Sequence, residues 1–177
     1  MATKAAGEKK LYMFYIGGNA GRSNIEVHDV QFVAAREPRD AYPALRRAWF
    51  GDPDKLHLDG YTVVDWADGF DVWLDAAPAP RDPRLYFVNL GGYREGHLAE
   101  LHDFGLFVAA DAEGAKRKAR AALLTDADLQ HKDNLKDVDN CLALAEVDGL
   151  HVRLAPNAGG RVARPAWQGY RPIGKKP

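Results

Sequence analysis

Two apolar runs of strand length, LYMFYI over residues 11–16 and LYFVNL over residues 85–90, head two stretches of the chain that repeat one pattern. Both are continuous rather than alternating, which suits burial on two faces. Each ends in a double glycine, Gly17-Gly18 and Gly91-Gly92, predicting a turn or bulge where φ can be positive. Residues 25–35 and 99–110, rich in Val, Phe and Leu, predict second strands paired to the first as hairpins. A helix follows in each stretch. In the first, Asp40 is the expected N-cap, with Pro43 at N3, Leu45, Ala48 and Trp49 on the inner face, and Gly51 as a left-handed stop. In the second, Asp111 caps, Ala115, Ala119, Ala122 and Leu123 face inward, and Lys116, Arg117, Lys118 and Arg120 stay wet. Shorter strands are expected at 56–65 with 70–75, and at 137–145 with 150–154.

Sliding the chain by 74 positions, so that Leu11-Tyr12 meets Leu85-Tyr86, superposes these stretches. Gly17-Gly18 falls on Gly91-Gly92, Glu26 on Glu100, His28-Asp29 on His102-Asp103, and Asp52 on Asp126. His57-x-Asp59 falls on His131-x-Asp133 and Val64-Asp65 on Val138-Asp139, without a gap. A later six-residue insertion brings Asp68-Gly69 onto Asp148-Gly149. Matches this dense in one register predict an α+β fold built as a tandem duplication of a ββαββ unit. The expected boundaries are a disordered N-terminus over 1–10, repeat one over 11–76, a proline-rich linker over 77–84, repeat two over 85–155, and a basic tail over 156–177. One such layer covers its apolar runs poorly, so the copies are expected to pack about a pseudo-two-fold axis with a shared core. Trp167 and Tyr170 predict that the tail docks.

Composition narrows the class. With 46% hydrophobic and 28% charged residues the chain is an ordinary globular one, and a net charge of −1 gives no global pull toward nucleic acid. The single cysteine, Cys141, excludes an internal disulfide framework and a multi-cysteine zinc site. A polar start and the lack of a long apolar run make the cytoplasm the expected location, with no membrane partner.

Glu26-x-His28 and Glu100-x-His102 place an acid and an imidazole on one face of a strand, at the start of an apolar stripe. His57-x-Asp59 and His131-x-Asp133 share that spacing. Imidazole and carboxylate so arranged can hold a divalent metal, for which His28, His102, Glu26 and Glu100 are the leading candidates. The plainer reading is that these pairs hydrogen-bond among themselves, and that Asp59 and Asp133 serve turns. The loop from Gly17 to Ser23 could cradle an anion with backbone N–H groups and Arg22, although a hairpin turn explains it as well. The basic face of the second helix is followed at once by acids, so nucleic-acid binding is not expected.

These residues also carry a resemblance. Ser23-Asn24-Ile25-Glu26 with His28-Asp29, Glu100-Leu101-His102, the run from His131 to Asp139 and Trp167-Gln168-Gly169-Tyr170 resemble a bacterial family known as domain of unknown function 1543. The resemblance implies a two-copy member in a bacterial cytosol; it implies no activity, substrate or catalytic residue. The order β-α-β-β-β, counted from the second strand, also suits a vicinal-oxygen-chelate-like arrangement as an alternative fold. The functional expectation is a non-enzymatic binding or assembly module, with a homodimer among its forms. The alternative is a metal-dependent enzyme or metal-assisted ligand binder that uses the repeated Glu-x-His pairs where the copies meet.

Overall fold

The computed structural model describes residues 8–125 and 136–174. The expected disorder of residues 1–10 falls mostly outside that range. The first half comprises β1 (Lys10–Gly18), β2 (Val27–Ala35), a 3-10 turn (Pro38–Ala41), α1 (Tyr42–Ala48), β3 (His57–Val63), β4 (Trp66–Ala67) and β5 (Phe70–Asp75). The second comprises β6 (Arg84–Gly92), β7 (Leu101–Ala109), α2 (Ala112–Ala122), β8 (Lys136–Ala143), β9 (Glu146–Val147) and β10 (Leu150–Pro156). A last strand, β11 (Trp167–Pro172), follows. The result is a sheet-rich α+β chain with two repeat-like regions.

The strands form three sheets, ordered β11-β3-β1-β2, β7-β6-β8 and β4-β5-β10-β9. The hairpins β1–β2 and β6–β7 run antiparallel over nine residue pairs each, Lys10↔Ala35 to Gly18↔Val27 and Arg84↔Ala109 to Gly92↔Leu101. The closing strands do not stay within their own halves. Instead β5 pairs with β10, from His151↔Asp75 to Pro156↔Phe70, so the third sheet belongs to both. A βαβββ module counted from β2 would need β2, β3, β5 and β6 in one sheet, and they lie in three. That alternative is not the observed arrangement.

Each half keeps a small core between its helix and its sheet. Phe14, Ile16, Leu45 and Leu58 are fully buried in the first, and Val88, Leu90, Ala115 and Ala119 in the second. A third core lies between the halves and draws on both: Leu11 with Leu85, Ala34 with Val108, Val64 with Leu144, and Val72 with Val152. Polar groups cross it too. The Ala34 N–H donates to Asp148 Oδ2 at 2.8 Å, and the Val108 N–H donates to Asp68 Oδ2 at 2.7 Å. Asp68 and Asp148 head the tight turns of the β4–β5 and β9–β10 hairpins, with φ of 48° and 50°. Aspartate tolerates this left-handed backbone better than most residues, and the following Gly69 and Gly149 complete the Asp-Gly hairpin signature.

Several local expectations change. Asp40 does not cap α1: Glu37 caps the preceding 3-10 turn, and Asp40 reaches back to the Glu37 N–H in a capping box. Pro43 is therefore the second residue of α1, Ala48 is exposed, and the helix stops on an extended Trp49 rather than a left-handed Gly51. Asp111 does cap α2, accepting from the Gly114 N–H at 2.7 Å. Ala122 is exposed. The double glycines extend β1 and β6 instead of turning them.

The largest correction concerns register. Both inner ladders carry a bulge at the same place, Tyr15/Ile16 in β1–β3 and Asn89/Leu90 in β6–β8. Beyond it Gly17 faces His57 and Ile16 faces Leu58, while Gly91 faces Asp137 and Leu90 faces Val138. The structural counterpart of His57 is thus Asp137, and that of Asp59 is Asp139. The six-residue insertion lies between α2 and β8, ahead of the position sequence matching gave it. His131 and Asp133 lie outside the described residues.

The two cross-half hydrogen bonds give a direct test. Asp148→Ala removes the acceptor for a part-buried N–H and puts alanine in a left-handed turn, and should destabilise by about 2–3 kcal/mol. Asp148→Asn should cost about 1 kcal/mol or less, since asparagine accepts the same bond and tolerates the same φ. Urea denaturation reads both; an alanine variant within experimental error of the parent would show that this contact carries no stability.

Candidate functional site

Gly17 lies between two histidines. On one side of β1 it pairs with His28 of β2, and on the other with His57 of β3. A Cβ at Gly17 would stand 2.7 Å from His28 Cδ2 and 2.8 Å from His57 Nε2, so only glycine leaves both rings their room. His57 is the most deeply placed of the set, 1% exposed. Its Nδ1 faces the Lys55 carbonyl oxygen at 3.3 Å. A carbonyl only accepts, so Nδ1 carries a proton and, in the neutral ring, Nε2 keeps its lone pair.

That lone pair points at acids. His57 Nε2 is 3.3 Å from Asp59 Oδ1 and 3.9 Å from Glu26 Oε2. His28 Nε2 approaches the other Asp59 oxygen, Oδ2, at 3.3 Å without the geometry of a hydrogen bond. Asp59 Oδ2 is buried and has no hydrogen-bond partner. The ligand atoms of Glu26, His28 and His57 all lie within 4.8 Å of one another. Acceptors converge here on one small volume, and such a cluster is stable only around a positive charge, either a proton shared by the imidazoles or a metal ion.

Aromatic rings frame the cluster. Tyr15 stacks on His28 with centroids 5.1 Å apart and planes 7° from parallel, and Tyr170 of β11 lies 4.5 Å from the His57 ring. Burial, and after it the Asp59 carboxylate, hold the Tyr15 phenol above its ordinary value, so it stays protonated at neutral pH.

The second half holds a thinner version. His102 Nε2 lies 3.6 Å from Glu100 Oε2 and 3.5 Å from Asp139 Oδ2, and the Asn89 amide donates to Asp139 Oδ2 at 3.3 Å. Gly91 supplies the same floor, for a Cβ there would meet Glu100 Oε1 at 2.5 Å and Asp139 Oδ2 at 2.9 Å. His102 is half-exposed, and Asp137 takes the ladder position that His57 occupies in the first half. Of the residues singled out from sequence, Glu26, His28, His57 and Asp59 lie together, and Glu100 and His102 lie together with Asp139, which sequence reading did not single out. The bulge that decides the β8 register has no sequence mark strong enough to outweigh the His-x-Asp match.

The two histidines of the Glu-x-His pairs do meet. His28 and His102 both line one open cleft of 480 Å³ between the halves, with Tyr15, Asn89 and Phe104. A second, more apolar cleft of 540 Å³ begins at Asp59 and runs past Tyr15 and Phe104 to residues 163–169. The glycine-rich loop after β1 is no anion cradle: the Gly21 N–H already donates to Asp52 Oδ1 at 3.1 Å, and Ser23 Oγ accepts from the Ala20 N–H. Cys141 donates weakly to the Ala112 carbonyl, and burial raises its thiol pKa, which is the opposite of a reactive thiolate.

Gly17→Ala should push both imidazoles aside and cost about 1–3 kcal/mol. Gly159→Ala, where the nearest atom is 3.5 Å from the new methyl, should be close to neutral. Thermal melts of the two variants decide the matter; equal melts would mean the site yields freely and is not held in this geometry.

Comparison with known proteins agrees with this architecture. The crystal structure of a protein Il1583 from Idiomarina loihiensis is similar to this chain at 33% identity, covering 96% of this chain and 100% of that one, with a TM-score of 0.73. No curated protein matches. No helix among the described residues is long and apolar enough to cross a membrane. One family model, described as Domain of Unknown Function (DUF1543), matches twice, over residues 23–74 and 97–154. The chain belongs to that family, in its two-copy form.

Proposed function

We propose that this protein is a tandem duplication of a ββαββ unit, packed about a pseudo-two-fold axis, whose first half binds a divalent transition-metal ion and presents it to a small ligand. Four features support the duplication: the repeated element order, the shared bulge, the paired core residues, and the exchanged Asp68 and Asp148 hydrogen bonds. One observation carries the metal reading. The buried His57 Nε2, fixed by its Nδ1 contact, faces the carboxylates of Glu26 and Asp59, and Asp59 Oδ2 lies 3.3 Å from His28 Nε2 without a hydrogen bond.

The donor set fits such an ion. Two imidazoles with carboxylates suit Zn²⁺, Mn²⁺ or Fe²⁺ better than Ca²⁺ or Mg²⁺, which prefer oxygen alone. The Lys55 carbonyl is the outer partner that ligating histidines regularly have, setting tautomer and ring orientation. His28 lines the cleft shared with His102 and Asp59 lines the apolar one, which leaves room for a ligand beside the metal. In the second half the described residues bring only His102 to the matching cluster, half-exposed, which makes it a weaker holder. This reading gives the protein a binding role, and the donor set alone names no reaction.

Chelator-treated, tag-free protein titrated with Zn²⁺ or Co²⁺ should bind one equivalent tightly. The melting temperature should then rise, by an amount corresponding to about 2.7 kcal/mol when free metal is 100-fold above Kd. Glu26→Gln and His57→Asn should each weaken binding at least about tenfold. Affinity should fall as the solution is acidified, because a protonated imidazole has no lone pair to give. A flat calorimetric trace with unchanged melting for zinc, manganese and iron would remove the proposal.

A further inference from the structure

The apolar cleft beside the site has walls that select a ligand. One side is formed by the strand-mounted rings of Tyr15 and Phe104, stacked at 5.8 Å and 23°, which come from opposite halves. Tyr61 lines it too, backed by Trp167 at 6.3 Å and 19°. The other side is the segment leading into β11. That segment is pinned to β3, where the Thr62 hydroxyl donates to the Arg164 carbonyl at 2.9 Å and the Ala166 N–H to the Tyr61 carbonyl at 2.9 Å. With Thr62 so engaged, the remaining polar groups lining the cleft are the Tyr15 and Tyr61 hydroxyls, Gln168 and Asp59, and Asp59 is the only carboxylate among them. Its 540 Å³ lies within the range of small-molecule sites.

We infer that the first half takes a small amphipathic ligand: a flat aromatic body lies in this cleft, and an oxygen-bearing chelating head sits at Asp59 on the metal held by Glu26, His28 and His57. The inference rests on the metal-binding reading and adds the ligand class to it. Rings along one wall favour a planar apolar body, and burying it against them contributes most of the affinity. Asp59 alone would repel an anionic head, whereas a metal held beside it, where His28 and His57 lie 3.3 Å from its oxygens, attracts one. Among the described residues the second half is built differently at the matching place. The groove along β8 contains Asn140, Glu146 and Asp148 and is predominantly polar, and β11 pairs only with β3.

The test uses two probes with one head. Acetohydroxamate and benzohydroxamate are titrated into the Zn²⁺-loaded full-length protein, after a metal titration in the absence of either. Benzohydroxamate should bind at least about tenfold more tightly, the ring entering the cleft. Ala163→Trp, which fills the cleft from the side remote from the ligand set, should abolish that preference while leaving the metal and acetohydroxamate affinities as they were. Metal binding with equal affinity for the two probes overturns this inference and leaves the metal reading standing, as does a preference that survives Ala163→Trp. Absence of metal binding overturns both.

Discussion

The structure depends on the exchange between its halves at Asp68 and Asp148. Each aspartate sits in a left-handed turn at the tip of a short hairpin and accepts from a backbone N–H of the other half. An unpaired N–H under the shared core would be costly, so the exchange fixes not only that the halves meet but at which residue. The apolar residues beneath it, among them Leu11, Leu85, Val72 and Val152, pack without direction. The Asp bonds and the β5–β10 ladder supply the register. That fixed placement brings Tyr15 against Phe104 and sets His28 and His102 along one cleft.

Much of this frame was legible beforehand, and the reasons are local. The apolar runs at 11–16 and 85–90 are too continuous for any place but the middle of a sheet, and they became β1 and β6. Asp111 before an alanine-rich stripe made a cap and a helix. Glu26 falls one residue ahead of β2 and Glu100 one ahead of β7, outside the strands expected to hold them, yet each still lies near an imidazole. What escaped was non-local. The pairing of β5 with β10 joins residues far apart in the chain, and hydrophobic periodicity says nothing about which edge a short strand will find. The β8 register turned on a bulge at Asn89/Leu90, and the identical His-x-Asp spelling at 57 and 131 pointed to the wrong counterpart. The capping box at Glu37 and Asp40 likewise moved a helix start by one residue.

Equal folds have been put to unequal use. A glycine floor, a Glu-x-His pair and an aspartate two residues further along the inner strand occur in both halves. In the first half a second imidazole, nearly sealed from solvent, completes the set; in the second, an aspartate occupies its ladder position. Burial follows the same division, because β11 lays Trp167 and Tyr170 beside β3 and nothing comparable among the described residues lies beside β8. The two regions thus differ in a few side chains set on a repeated frame.

The position of β11 in the chain also bears on biogenesis. It closes over β3 from roughly 110 residues downstream, with Ile173 buried in the first half's core and the Arg46 guanidinium donating to its carbonyl. At a translation rate of about 5–20 residues per second, the first half emerges from the ribosome roughly 5–20 seconds before its outer wall. During that interval His57 lacks the Tyr170 ring that later lies against it, and Leu58 and Tyr61 present an open strand edge. Completion of the first sheet therefore waits on the last strand, and a nascent chain stalled after β10 would leave β3 as an unprotected edge.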